Sequence, residues 1–136
     1  MNQVKMINLV CCAFMTGIIW VVQLIQYPSF QFVKPEEFLK YHLFHSNRIS
    51  ILVAPAMLLE LLSAYWLFWE NKTDLLQIFN LATVVLLFGL TAFVSVPRHN
   101  RLSQSYDMAV ARSLIRTNWA RTLIWSLRLF ILVLFI

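Results

Sequence analysis

The chain has 136 residues, of which 60% are hydrophobic and 12% are charged. Soluble domains carry about 25% charged residues, so this composition excludes an ordinary soluble domain and indicates an integral membrane protein. The net charge of +5 is not accompanied by a separate basic and aromatic domain, and no nucleic-acid partner is therefore expected.

Four apolar runs are long enough to cross a bilayer, at residues 7–26, 49–69, 75–96 and 118–136. Helices of about 19 to 22 residues span a ~30 Å hydrocarbon core. The predicted fold class is all-α: an antiparallel four-helix transmembrane bundle that forms a single integral membrane domain over residues 1–136. Helices two and four are expected to extend beyond the membrane on the side of the two longer loops.

Basic residues are concentrated on the side of the two longer loops, and only Lys5 and Lys72 lie on the opposite side. Basic loops face the cytoplasm, so the termini are predicted outside and the long loops inside. The same bias would arise if several arginines bound an anionic ligand. The chain is expected to be a multi-pass protein of a bacterial inner or plasma membrane.

The first helix carries Thr16, Trp20, Gln23 and Tyr27 at spacings that place them on one face. A polar face inside a span is expected to point into the bundle. Gln23 then either joins neighbouring helices through a hydrogen bond or contacts a ligand. The helix is predicted to end at Pro28.

The second helix is predicted to start at Pro35, with two acidic residues in its first turn, and to run for about 35 residues. His42 and His45 lie three residues apart on its projecting part. Neutral imidazoles at such a spacing can bind a metal, although hydrogen bonding is the simpler role. Pro55 is expected to kink this helix, and Glu60 is the acidic residue within the apolar spans.

The third helix is predicted to end at residues 96–97 and to be followed by the polar residues Arg98 and His99. Small polar residues within this helix, such as Asn80, are interpreted as packing features. Either Ser103 or Ser105 is predicted to cap the helix that leads into the fourth span.

Two charged residues of different helices are predicted to lie at the same depth in the membrane. Glu60 and Arg128 each lie about 15 Å inside the boundary nearest the long loops, at 1.5 Å per residue. A buried ion pair is therefore predicted, because a counter-charge makes either residue tolerable in lipid. The pair is interpreted either as a clamp between helices or as a functional element.

A shallower polar layer follows from the same count, and Arg121 has no acidic residue at its level. Asn118, Arg121, Trp125 and Arg128 share one face of the fourth helix. We therefore predict a cationic cavity that is floored by the ion pair. The polar layer comprises Gln23, Tyr27, His45, Arg48, Ser95, Arg98, His99, Asn118 and Arg121.

The sequence VPRHNRL at residues 96–102, followed by TNWART at residues 117–122, resembles the small four-span anthrone oxygenase-like membrane proteins. The resemblance covers the C-terminal third of the chain and the four-span layout. It implies that Asn118 and Arg121 are site residues and that a hydrophobic aromatic substrate is oxidised. His99 stands where asparagine is expected in many members.

Three functions fit these residues. The first is a membrane-embedded oxidoreductase acting on a hydrophobic substrate, with the catalytic residues His99, Asn118 and Arg121. Its cofactor, if one is bound, would be a metal or haem at His42, His45 and His99.

The second function is a binding or transport module for an anionic or amphipathic ligand, for which a homo-oligomer is considered because four spans are few. The third is a structural or assembly subunit of a membrane complex. The expected partners are the lipid bilayer and a hydrophobic or anionic small molecule. The predicted ligand-binding residues are Gln23, Tyr27, Arg48, Arg98 and Trp125.

Overall fold

In the computed structural model, residues 2–135 are described and form four long helices. They are α1 (Gln3–Phe32), α2 (Pro35–Glu70), α3 (Leu75–Leu102) and α4 (Met108–Phe135). Each is long and apolar enough to cross a membrane, and no strand occurs among residues 2–135. The predicted all-α transmembrane four-helix fold is confirmed.

Side-chain contacts show that α1 and α2 run antiparallel. Near the start of α1, the Asn8 side chain donates to Ser63 Oγ at 2.8 Å. Near the end of α1, Gln26 donates to the Tyr41 hydroxyl, early in α2, at 3.0 Å. We refer to the end of the bundle with the α1–α2 and α3–α4 connections as the long-loop end, and to the opposite end as the terminal end.

Helix α2 is continuous over 36 residues, about 54 Å at 1.5 Å per residue. It begins at Pro35 with Glu36 and Glu37 in its first turn, as predicted, and it passes through Pro55 without ending. Proline suits the first helical position, and carboxylates are favoured near the positive helix end. Since a bilayer core is ~30 Å thick, this length agrees with the predicted overhang.

Two helices continue past prolines at which the sequence predicted an end. Helix α1 passes Pro28 and helix α3 passes Pro97. Each proline follows a five-residue π-helical stretch, Val22–Gln26 in α1 and Thr91–Ser95 in α3. Proline has no N–H and leaves a carbonyl without its partner, and a locally wider turn accommodates this defect. The predicted ends are wrong for this reason.

Helix α4 is capped by Asp107, and the predicted caps Ser103 and Ser105 are wrong. Asp107 Oδ1 accepts from the backbone N–H groups of Ala109 at 3.0 Å and Val110 at 3.1 Å. A carboxylate here also interacts favourably with the positive helix end. The described α4 accordingly starts at residue 108, and Ser103 is available for another contact.

Two apolar cores, each built from all four helices, bury the helix contacts. The core in the middle of the bundle contains Cys12, Met15, Ile19, Ala56, Met57, Leu87, Trp125 and Leu132. The core at the long-loop end contains Val22, Tyr27, Phe30, Phe38, Leu102, Val110, Ala111 and Leu114. Because of the second core, the overhanging helix ends pack against one another and enclose the polar residues between them.

Candidate functional site

A buried ion pair lies towards the terminal end of the bundle. Arg128 of α4 bonds through Nη1 to Oε1 of Glu60 in α2. The two residues are 0% and 1% exposed. A charge at this depth is tolerated when its partner and its remaining hydrogen-bonding groups are satisfied. The structure thus brings together the two charges that depth alone suggested.

Two asparagines complete this network. Asn80 Oδ1 accepts from Arg128 Nε at 2.9 Å, and Asn8 Oδ1 accepts from Arg128 Nη2 at 3.3 Å. The Asn80 amide also donates to Asn8 Oδ1 at 3.0 Å. Both asparagines are fully buried, so one residue from every helix takes part. We refer to Asn8, Glu60, Asn80 and Arg128 as the clamp.

Trp125 lies between the clamp and the polar layer nearer the long-loop end. Its indole Nε1 donates to both carboxylate oxygens of Glu60, at 3.3 and 3.2 Å. The Arg121 guanidinium lies over the same ring, 5.3 Å from its centre. The predicted cavity floor is therefore corrected: a fully buried indole, not the ion pair, underlies Arg121.

Arg121 is the second buried arginine of α4, and neutral groups hold it. It is 6% exposed. Its Nη1 donates to Ser95 Oγ at 3.0 Å and to Asn118 Oδ1 at 3.2 Å. The Asn118 amide donates in turn to Gln23 Oε1 at 2.8 Å. Asn118 and Gln23 therefore position the guanidinium from α4 and α1.

Arg121 lacks the pairing that Arg128 has. Its Nε is buried and has no hydrogen-bond partner among residues 2–135. No carboxylate among residues 2–135 forms a salt bridge with it. A buried guanidinium with a free donor and no counter-charge is typical of a site for an anionic or strongly dipolar group.

A chain of hydrogen bonds connects Tyr27 with two histidines. Tyr27 Oη lies 2.9 Å from His99 Nε2, and His99 Nδ1 lies 2.9 Å from His42 Nε2. His42 Nδ1 lies 3.3 Å from Ser103 Oγ. We refer to Tyr27, His99, His42 and Ser103 as the relay. It joins α1, α2 and the end of α3.

The partners of the relay set the direction in which it donates. Ser103 Oγ donates to the His99 backbone oxygen at 2.9 Å, so it accepts from His42 Nδ1–H. Neutral His42 then accepts at Nε2 from His99 Nδ1–H, and His99 Nε2 accepts from the Tyr27 hydroxyl. We assign these tautomers from the hydrogen-bond network. In this arrangement the Tyr27 oxygen keeps lone pairs that can accept a proton.

A cavity of about 130 Å³ is lined by Arg121 together with Tyr27 and His99 of the relay. Ser95 and His45 also line it, and most of its remaining wall is apolar. The His45 ring centre lies 6.1 Å from that of Tyr27 and 6.2 Å from that of His99. A small group bound here would contact both the unpaired cation and the relay.

Two arginines predicted to bind ligand lie away from this cavity. Arg48 is exposed, and its guanidinium carbon lies 5.6 Å from the Phe44 ring centre. Arg98 donates from Nε to Ser113 Oγ at 2.8 Å, and from Nη1 to a backbone oxygen of its own helix at 2.6 Å. They share the height of the cavity but lie on other helix faces. Their role in binding remains a prediction.

Two of the three histidines, His42 and His99, are hydrogen-bonded to each other, and the His45 ring packs beside His99. In the part of the chain that the structure describes, no three His, Cys, Asp or Glu side chains are arranged to hold a metal ion. His42 and His99 direct a nitrogen at each other, which fixes the order of the relay. Binding of a metal or haem at His42, His45 and His99 remains a prediction.

The two π-helical stretches adjoin the cavity. Gln23 lies within the stretch of α1 and Tyr27 directly follows it, whereas Ser95 ends the stretch of α3 and His99 comes one turn later. Such stretches change which side chains face the bundle and are frequent at functional sites. The hydrophobic pattern did not predict them. A proline two residues after each stretch is the signal that the sequence contains.

Arg121, the cavity and the relay form one candidate site at the long-loop end. No protein-family model matches the chain, and no curated protein or solved structure is significantly similar to it. The resemblance to anthrone oxygenase-like proteins is neither supported nor opposed by these comparisons. The functional interpretation therefore depends on the geometry of the site.

Proposed function

We propose that this small integral membrane protein is an enzyme that removes a proton from an amphipathic, oxygen-bearing substrate. One observation carries the proposal: Arg121, which has no counter-charge among residues 2–135, lines the same cavity as Tyr27 and His99, the first two groups of the relay. Each alone has a structural explanation. Their combination is what general acid–base chemistry on a developing oxyanion requires.

Arg121 binds the substrate through a carbonyl or phenolic oxygen. No group among residues 2–135 accepts a hydrogen bond from the Arg121 Nε–H, so this donor is available to a substrate oxygen. Negative charge grows on the substrate oxygen as the proton leaves, and the guanidinium stabilises it in surroundings of low dielectric. Ser95 and Asn118 hold the guanidinium in place beforehand, so little reorganisation accompanies the reaction.

The relay receives the proton in a concerted sequence. The Tyr27 oxygen takes a proton from the substrate as its own proton passes to His99 Nε2. The His99 Nδ1 proton passes at the same time to His42 Nε2. One proton has then moved from the substrate to His42, which becomes an imidazolium beside Ser103, and Tyr27 and His99 stay neutral. The products are a substrate anion at Arg121 and a cation at His42.

Oxidation of the substrate anion is the second step, and it rests on the resemblance to anthrone oxygenase-like proteins. With dioxygen as the co-substrate, a methylene group that is conjugated with a ketone through aromatic rings becomes a carbonyl group. One oxygen atom enters the product, and the other leaves as water with both methylene hydrogens. The residues of the cavity supply the anion on which this oxidation acts.

Hydrogen exchange tests the first step separately from oxidation. Purified protein in D2O under nitrogen is mixed with anthrone, a tricyclic ketone with an acidic methylene, and deuterium uptake is followed by mass spectrometry. Wild-type protein accelerates the exchange, and Tyr27→Phe or Arg121→Gln reduces the acceleration by about 100-fold. Arg98→Gln, which removes an arginine outside the cavity, leaves it unchanged. Exchange at the rate of detergent alone with the wild type would refute the proposal.

A binding or transport module is the second candidate, because Arg121 by itself suffices to hold an anionic head group. This alternative uses the cavity but does not use the relay. It predicts that Arg121→Gln abolishes ligand binding, that Tyr27→Phe retains it, and that no hydrogen exchange is accelerated. The exchange measurement and a binding measurement on the same two variants therefore separate the candidates.

A further inference from the structure

An apolar groove lies between α1 and α2 next to the cavity. Its volume is about 440 Å³, and its lining is almost entirely apolar. Phe14 and Leu52 line the groove and are 45% and 49% exposed. In a membrane-spanning helix pair such side chains face hydrocarbon, so the groove opens to the bilayer.

The groove and the cavity share a wall. Ile18 and Val22 of α1 and Ile49 of α2 line both of them. Arg121, Tyr27 and His99 lie on the cavity side of this wall, and the groove lies on its other side. A molecule that spans the wall would therefore have a polar group on one side and a hydrocarbon portion on the other.

The cavity accommodates only part of a ligand. Small-molecule sites commonly enclose about 300–1,000 Å³, whereas this cavity measures about 130 Å³. An oxygen-bearing head group fits this space, and the rest of the molecule needs another volume. The adjoining groove provides it.

Access from the aqueous side is closed by the core at the long-loop end. Phe30, Phe38, Leu102 and Leu114 are each 0% exposed, and they belong to the core that also contains Tyr27. A ligand arriving from water would have to separate these packed side chains. Between α1 and α2, only Ile18, Val22 and Ile49 separate the groove from the cavity, so a ligand entering from the bilayer has fewer side chains to displace.

We propose that the substrate is a bilayer-borne amphiphile with an oxygenated ring and a single hydrocarbon tail, and that it enters sideways between α1 and α2. The ring oxygen binds Arg121 in the cavity, and the tail lies in the groove. This inference rests on the proposed function of the cavity and adds the substrate class and the direction of access. The tail matches the apolar lining of the groove, and the ring oxygen matches Arg121 in the cavity.

Gly17 permits a direct test of the groove. A Cβ atom built at Gly17, which lines the groove, meets no atom within 4 Å. The same holds for Gly89 of α3, which does not line it. Replacing either glycine adds a side chain in open space and improves helix propensity. Gly17→Phe therefore fills the groove, and Gly89→Phe is its matched control.

The experiment measures the binding of 4-decylphenol and of tail-less 4-methylphenol to the protein in phosphatidylcholine nanodiscs. Gly17→Phe is expected to weaken 4-decylphenol binding by about ten-fold or more, because the tail has no space, and to leave 4-methylphenol binding unchanged. Gly89→Phe leaves both unchanged. Arg121→Gln weakens both. Leu52→Trp fills the groove from α2 and is expected to reproduce Gly17→Phe should that variant fold poorly.

Two results would overturn the inference. One is 4-decylphenol binding that responds equally to Gly17→Phe and Gly89→Phe, or to neither. The other is binding that is lost in Arg48→Gln but kept in Arg121→Gln, since the phenol would then occupy a lipid site at the bundle surface. If anthrone exchange is accelerated but 4-decylphenol binding is unaffected by Gly17→Phe, the inference about the tail is wrong and the proposed function stands. If tail binding depends on the groove but exchange is absent, the proposed enzyme function alone fails.

Discussion

Helix α4 places two buried arginines seven residues apart in different surroundings. Arg128 contacts a carboxylate and two amide oxygens. Arg121 contacts a hydroxyl, an amide oxygen and an indole ring, and it keeps a free Nε–H. Both are nine-tenths buried or more, so burial does not distinguish them. Because of this difference in their partners, we propose an architectural role for Arg128 and ligand binding for Arg121.

The clamp joins the four helices without using any residue that lines the cavity. It ties all four helices together through one charge pair and two asparagines. Arg121 lies outside the clamp, and burying its charge without a counter-charge among residues 2–135 costs free energy that the rest of the fold must offset.

Breaking the clamp is expected to have the largest effect on stability. Glu60→Gln leaves Arg128 without a counter-charge and should lower the free energy of unfolding by about 3–5 kcal/mol. Thermal unfolding in detergent measures this loss. Arg128→Gln should have a similar effect, and the double variant should lose less than the sum of the two. Additive losses would show that the two residues do not act as a pair.

Replacing Arg121 is expected to have little effect on stability and a large effect on ligand binding. Arg121→Gln removes a buried cation without a counter-charge, so the free energy of unfolding should change by less than about 1 kcal/mol. Binding of 4-decylphenol should be lost in the same preparation. The two properties are measured side by side with Arg128→Gln as the comparison. A loss of stability as large as that of Arg128→Gln would remove the distinction between the two arginines.

Trp125 contacts both the clamp, through Glu60, and Arg121. Trp125→Phe keeps an aromatic ring under Arg121 but removes the N–H that Glu60 accepts. The expected loss is about 1–3 kcal/mol, less than for Glu60→Gln. A double-mutant cycle that combines Trp125→Phe with Arg121→Gln measures the coupling energy between the clamp and the cavity. A coupling energy of zero would mean that clamp and cavity are energetically independent.

The smallest effects are expected for the arginines outside the cavity. Arg48→Gln and Arg98→Gln alter partly or fully exposed side chains and should change the free energy of unfolding by no more than about 0.5 kcal/mol. Neither should alter anthrone exchange. Thermal unfolding and the exchange assay check both statements. A large loss of exchange in Arg98→Gln would extend the site to that side of α3.

The sequence predicted the height of residues along the bundle better than their direction around each helix. Counting 1.5 Å per residue placed Glu60 level with Arg128, because rise per residue is nearly constant. The same count grouped Arg48 and Arg98 with Arg121, although they lie on different faces. A count of depth gives no direction around the helix, which is why Arg48 of the regular helix α2 was misplaced. In α1 and α3 the π-helical stretches also change the direction of the residues that follow, such as Arg98, without changing the hydrophobic pattern.

Partners contributed by distant elements were the other part that the sequence did not predict. Asn8 was not recognised as part of the clamp, because a single amide in an apolar run also fits packing. The position of the Trp125 indole between the cavity and Glu60 depends on a side-chain rotamer, which spacing does not determine. Ser103 was predicted to cap a helix but instead ends the relay, since Asp107 competes better for the helix N-terminus.

The core at the long-loop end has a practical consequence for purification. The relay is covered by Phe30, Phe38, Leu102 and Leu114, so its environment is supplied by the protein and should survive extraction from the membrane. The groove beside Gly17 is covered by lipid alone, and an alkyl detergent can occupy it. Detergents with short or bulky tails, or extraction into native lipid discs, are therefore preferable when ligands are to be identified with the purified protein.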